Sequence, residues 1–213
     1  FGGYETPYGG PLVKDSNTKF NLVESLKKHH RIRRIDITTS PFLGYIDFKQ
    51  SGFSEEFLTT SVIELNNSKE NIWKGFNRST KRNIKRGEKK LTIEFINTKL
   101  DSSLIEYYEL LQNNQDSKFD NIKSKEFYKE IVIELRKNTM SQMVVVRHDG
   151  KFVAGSILLL FKNCVYVWNT VSNKNANKLG AGHFLNWEII KWAQRKGYEF
   201  YDFVIVDEKK LPG

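Results

Sequence analysis

Between Trp73 and Lys90 the chain reads WKGFNRSTKRNIKRGEKK, eight lysines or arginines with one acid, Glu88. A single helix over this run, at about 3.6 residues per turn, puts Arg82, Lys85, Arg86 and Lys89 on one face, so that their charges converge. Guanidinium and ammonium groups in that pattern suit phosphates. A second chemical signal is Asn177-Lys178-Leu179-Gly180-Ala181-Gly182, read as a loop between a strand and a helix. Glycines there let main chain approach a ligand, and helix-start N–H groups point at an anion. Side chains added at Gly180 or Gly182 are expected to block that approach with little loss of fold. Tyr166 and Trp168 alternate with Val165 and Val167, which on a strand sends one pair to the core and the other to the opposite face. Their rings can line an acyl or sugar pocket, or simply pack. Asn169 is placed to hydrogen-bond a substrate carbonyl, and His183 is expected at the surface.

Composition limits the setting of this chemistry. A chain of 213 residues is one large domain or one and a half small ones, long enough for a core without staples. The net charge of +9 favours polyanionic partners such as nucleic acid, nucleotide-linked substrates or an anionic membrane face. Cys164 is the only cysteine, so no intramolecular bridge can form and a reducing compartment fits. Neither it nor His29, His30, His148 and His183 fall at metal-ligand spacing, and no structural metal is expected. With no apolar run of about 18 residues and no signal-peptide pattern, the chain reads as soluble, cytoplasmic and without stable membrane insertion. It begins at Phe1 and stops at Leu211-Pro212-Gly213, which reads as an excerpt of something longer.

The elements that position these residues follow from periodicity. Residues 1–13 are loop-like, residues 17–30 helical, and Arg31 to Ile37 a short strand ended by Pro41. A polar stretch between Gln50 and Thr60 marks a boundary near residue 60. Beyond it, Ser61 to Leu65 reads as a strand, Ser68 as an N-cap, and Ile72, Trp73 and Phe76 as an inward helical face. A strand over Leu91 to Ile96 precedes two amphipathic helices, with Leu104, Tyr107, Tyr108 and Leu111 inward on the first and Phe127, Ile131 and Leu135 on the second. Strands at Gln142–Arg147, Lys151–Phe161 and Cys164–Val171 form a meander, the first turn being His148-Asp149-Gly150. A helix from Gly182 to Lys196, ended by Gly197, leads to a last strand, Glu199 to Val206. This is an α+β sandwich, helices packed on a central mixed, mostly antiparallel sheet.

The glycine loop resembles the pyrophosphate loop of GCN5-related N-acyltransferases (GNAT), with Asn177 in place of the usual Gln or Arg. In order along the chain, "TPYGGP", the tryptophan-led basic helix, "DGKFVAGSILLL" and "LNWEIIKWAQRKGYEFYDF" are similar to the Fem-type (FemAB-like) peptidoglycan-bridge aminoacyltransferases. That resemblance implies two acyltransferase units in tandem: residues 1–60 the remnant of the first, 61–213 a second, C-terminally incomplete one. It implies N-acyl or aminoacyl transfer to an amino group of a sugar- or peptide-bearing cell-envelope precursor. Asn177, Gly180 and Gly182 would bind the donor. Tyr8, Gly9, Gly10, Arg82, Lys85, Arg86, Tyr166 and Trp168 would bind substrate, the first three as the family's inter-domain loop. Asp202, between Tyr201 and Phe203, matches the family's strand-end aspartate beside the acceptor cleft, as base or as orienter of the amine. The co-substrate is acyl-CoA, acyl carrier protein or aminoacyl-tRNA, none tightly bound, and the acceptor an anionic small molecule or a nucleotide- or lipid-linked one. The glycine loop leans to a pantetheine-linked donor, the net charge to tRNA, while no long helical arm for tRNA is present. The rival reading is a non-catalytic RNA-binding module built on residues 73–90, which would need exposed stacking aromatics beside the cations.

Overall fold

The computed structural model describes Tyr8 and residues 24–28, 34–43, 48–49, 52–98, 100–113 and 123–205. The chain divides into two compact units, one of Phe1–Ser61 with Val204–Gly213, the other Val62–Phe203. In the first, a helical turn covers residues 24–27, and Pro41–Leu43 is a 3-10 turn whose Ser40 hydroxyl accepts from the Phe42 N–H. The strand expected over Arg31 to Ile37 does not form at residues 34–37; only Thr38 makes an isolated bridge. Three residues further on, the 3-10 turn starts at Pro41, whose ring offers no N–H to extend a ladder. Gly9 and Gly10 lie outside the described residues.

The larger unit is built on a mixed sheet of β1 (Thr60–Glu64), β2 (Thr92–Phe95), β3 (Ser141–His148), β4 (Lys151–Phe161), β5 (Cys164–Ser172) and β6 (Phe200–Ile205). The spatial order is β1-β6-β5-β4-β3-β2. The β2–β3, β3–β4 and β4–β5 pairs are antiparallel, and β5–β6 is parallel. Asp149 and Gly150 both take positive φ, 49° and 77°, the demand of the tight turn that joins β3 to β4.

Helices cover both faces, which is why β3 and β4 read as continuous apolar runs rather than alternating ones. On one face Val144, Val146, Leu158 and Val165 meet Ile84 of α2 (Arg78–Glu88) and Leu185, Ile189 and Ile190 of α6 (Ala181–Arg195). On the other, Met143, Val145 and Ile157 meet Leu104, Tyr107 and Leu111 of α3 (Leu100–Asn113), and Tyr128 and Val132 of α4 (Lys125–Lys137). The buried stripe of α4 is thus one residue on from the expected Phe127, Ile131 and Leu135, which are half-buried at its flank. Phe127 instead joins Tyr128 and Trp168 in an aromatic group.

The run from Trp73 to Lys90 is two helices, α1 (Lys69–Gly75) and α2, not one. Asn77 explains the break: its side chain accepts the Thr80 N–H at 2.8 Å and caps α2, a role in which Asn is worth more than in a helix interior. Ser68 caps α1 in the same way. The turn sends Trp73 and Phe76 onto Trp187 of α6, with ring centroids 5.2 and 5.5 Å away. Those aromatics are partly buried against the core, and the cations belong chiefly to α2.

Glu106 of α3 and Arg147 at the end of β3 clip helix to sheet through two contacts, Nη1 to Oε1 at 2.9 Å and Nη2 to Oε2 at 2.6 Å. The hydrogen bond to the guanidinium holds the Glu106 carboxyl below its ordinary range. A lowered folded pKa gives stability that is present above the unfolded carboxylate's value, about 4.3, and lost as pH falls through the folded one. Both partners are partly exposed, so the pair contributes about 1 kcal/mol or less. Glu106→Gln should lower the urea midpoint more at neutral pH than at about pH 3, in chemical unfolding monitored by circular dichroism. An equal loss at both pH values would show that packing, not charge, is what the substitution removes.

Candidate functional site

The segment after β5 forms a compact turn, not a loop. Asn173 caps α5 (Lys174–Lys178), its side chain accepting the Ala176 N–H at 2.6 Å. Asn177 lies within α5, and its Oδ1 accepts from the Ser172 hydroxyl at 2.8 Å, which fastens the helix to the end of β5. That corrects the loop reading: Asn177 uses its side-chain oxygen to hold the turn. Gly180 follows at φ 78° and starts α6, where no side chain makes a capping bond. The first-turn N–H groups of α6 are therefore left to solvent or to an anion, at the positive end of the helix dipole.

Gly180 and Gly182 do different work. A Cβ at Gly180 would stand 2.3 Å from the carbonyl oxygen of Asn83 on α2, and positive φ already excludes most side chains. Gly180 is therefore required by the packing of α6 on α2, contrary to the expectation that a substitution there spares the fold. At Gly182 nothing lies within 4 Å of a built Cβ, so the main chain is open on that side. The same crossing uses Gly87, whose Cβ would meet Phe184 at 2.5 Å. Asn83, Gly87 and Phe184 escaped the sequence reading; the available signal was a glycine inside an otherwise good helix, which marks close approach.

The basic face of α2 borders this turn. Arg78, Lys81, Arg82, Lys85, Arg86 and Lys89 line one open depression. Arg86 reaches across to donate from Nη1 to the carbonyl of Lys178 at 2.8 Å, and Lys81 donates to the carbonyl of Lys74 at 3.0 Å. Arg82 and Lys85 are exposed alongside them. The structure thus brings Arg86, Asn177 and Gly180 together and keeps Arg82 and Lys85 on the same exposed helix face.

A second cluster lies further back along β5. The parallel ladder runs through Cys164 with Phe200, Val165 with Tyr201 and Tyr166 with Asp202. An irregularity in the β4–β5 register sets Asn169 opposite Ile157 and Val167 opposite Leu158, leaving Trp168 as the extra residue of a bulge. Bulges bend a strand and re-aim its side chains. Trp168 packs 5.9 Å from the Tyr128 ring and 6.4 Å from Phe127. Asn169 is committed to the protein, its Oδ1 accepting from the Tyr107 hydroxyl.

Asp202 is fully buried. Its neighbour Tyr201 faces α6, where its hydroxyl donates to Asn186 at 2.7 Å. The Cys164 thiol is pushed up to about 12, first by burial and further by the charge of Asp202, so this cysteine is no nucleophile and the carboxylate sits in a water-poor setting. His183 is exposed. Among the described residues no three His, Cys, Asp or Glu side chains cluster to hold a metal, and no helix is long and apolar enough to cross a membrane.

Residues 74–209 match the family model described as an acetyltransferase (GNAT) domain. No curated protein sequence gives a match. Among solved structures, FemX superposes with a TM-score of 0.64 at 12% identity, over 71% of this chain and 54% of that one. L-PGS from Bacillus licheniformis superposes at 0.56 and 12% identity, over 78% of this chain and 51% of that one. The chain spans about half the length of these two structures. At such identities the likeness is one of fold.

Proposed function

The chain belongs to the GNAT acetyltransferase domain family, and we propose that it is an N-acyltransferase acting on an amino group of a sugar- or peptide-bearing cell-envelope precursor. The observation that carries this reading is the start of α6: an uncapped helix N-terminus behind Gly180, open at Gly182, with a guanidinium tied to its flank. Such a site takes phosphate through main-chain N–H groups and charge. A donor held there by its phosphates is read as laying its acyl group toward Asp202 on β6. Acyl-CoA fits this first, its diphosphate lying at the helix start. Acyl carrier protein and aminoacyl-tRNA offer the same acyl chemistry with a larger handle.

Transfer needs a neutral amine, an acyl carbon in reach and a place for the leaving group. Asp202 takes the proton from the acceptor nitrogen as that nitrogen bonds to the acyl carbon. The tetrahedral intermediate then collapses, the bond to the donor's sulfur or oxygen breaks, and the leaving thiolate or alkoxide takes up the proton that Asp202 had removed, which returns Asp202 to its carboxylate. Tyr166 and Trp168 line the acyl or sugar side, and Tyr8 with Gly9 and Gly10 are assigned to the acceptor. The acceptor's phosphates lie on Arg82 and Lys85. The RNA-binding alternative loses its stacking surface, since Trp73 and Phe76 are packed on Trp187.

Full-length protein given acyl-CoA and a nucleotide-linked amino sugar should release free thiol in proportion to acylated amine; no release with any acyl donor would contradict the reading. Arg82→Ala with Lys85→Ala should raise the acceptor KM by about tenfold or more while kcat changes little, because those cations hold phosphate equally in ground and transition states. A loss confined to kcat would place them elsewhere in the reaction.

A further inference from the structure

The cations of α2 do not form one uniform stripe. Arg82 and Lys85 project from the helix, whereas Arg86 spends one guanidinium nitrogen on the carbonyl of Lys178, in the last turn of α5 and two residues before Gly180. The turn it touches is held at three further points. Ser172 bonds Asn177 at the entry, the Gly180 N–H donates to the carbonyl of Asn177 at 3.0 Å, and Gly180 seats against the carbonyl of Asn83. Asn83 and Arg86 are one helical turn apart on α2, so one rigid helix sets the turn from beneath and from the side.

A carbonyl at a helix C-terminus carries partial negative charge, and a guanidinium bonded to it both satisfies an orphan acceptor and cancels that charge. Left uncovered, the Lys178 carbonyl would repel an anion arriving at the start of α6 three residues later. We propose that Arg86 is a positioning residue for the donor: it fixes the turn from Lys178 to Gly182 and masks the carbonyl charge there, while Arg82 and Lys85 serve the acceptor. The proposal rests on the donor reading given above, but its structural half can be tested without any donor.

The experiment compares Arg86→Ala, Arg86→Lys and Arg82→Ala in the full-length protein. Amide hydrogen exchange is followed at Leu179, Gly180 and Phe184, whose N–H groups bond to the carbonyls of Ala176, Asn177 and Gly180. Exchange at these amides should quicken in Arg86→Ala, recover largely in Arg86→Lys and stay as wild type in Arg82→Ala. Affinity for coenzyme A should fall by about ten- to a hundredfold in Arg86→Ala, the range for losing a charged hydrogen bond, with the acceptor KM unmoved. Arg82→Ala should show the reverse split. Unchanged exchange in the turn, or a donor affinity equal to wild type in Arg86→Ala, overturns the assignment, as does an acceptor KM that rises as it does in Arg82→Ala. Failure of the wild type to bind coenzyme A would strike the donor reading, and the exchange data would still decide whether Arg86 orders the turn.

Discussion

Asp202→Asn should lower acyl transfer by about two to four orders of magnitude while donor binding survives. Asn keeps the shape and hydrogen-bonding reach of Asp but can neither accept a proton nor carry charge, and general bases contribute on that scale. The surroundings sharpen the expectation. The carboxylate is fully buried at a β5–β6 rung, opposite Tyr166, near enough to Cys164 for its charge to help raise the thiol. Steady-state kinetics across pH on the full-length enzyme checks this: the acidic limb of the profile should vanish in Asp202→Asn. Near wild-type turnover with the same limb would make Asp202 a structural group of the β5–β6 pair and put the base elsewhere.

The second large effect separates two glycines that look alike in the sequence. Gly180→Val should destabilise the protein by about 3 kcal/mol or more, since it adds a β-branched side chain at positive φ and forces a Cβ onto the Asn83 carbonyl. Gly182→Val should leave the melting temperature nearly unchanged, because its Cβ points into open space and helix propensity favours almost any residue over glycine. Donor affinity should nevertheless fall steeply in Gly182→Val, where the new side chain occupies the approach to the helix N–H groups. Calorimetric melts of both variants, with donor titrations on the folded ones, decide between these outcomes. Equal stability loss in the two would refute the packing role of Gly180.

Sheet, helices and their order were legible because apolar periodicity and turn residues are local. Asp149-Gly150 marks its own hairpin, Ser68 its own cap, and the alternation from Val165 to Trp168 sorts those side chains to opposite faces as it should. What escaped depends on distance. Nothing near Phe76 announces a helix break until Asn77 is seen bonding Thr80, and nothing near Gly180 announces Asn83, nearly a hundred positions earlier in the chain. The shared basic face of Arg82, Lys85 and Arg86 was legible from helical spacing, but the tie of Arg86 was not, because its partner is a backbone carbonyl on another helix. The buried state of Asp202 likewise follows from its position in the sheet, and flanking aromatics alone do not imply it.

If a phosphate-bearing acyl donor binds at the start of α6, isothermal titration of coenzyme A and an acyl-CoA into the full-length protein should give saturable binding at one site per chain. That binding should be weakened at least tenfold in Gly182→Val and unaffected by Asp202→Asn. No binding by wild type, or equal affinity in Gly182→Val, would contradict the proposal.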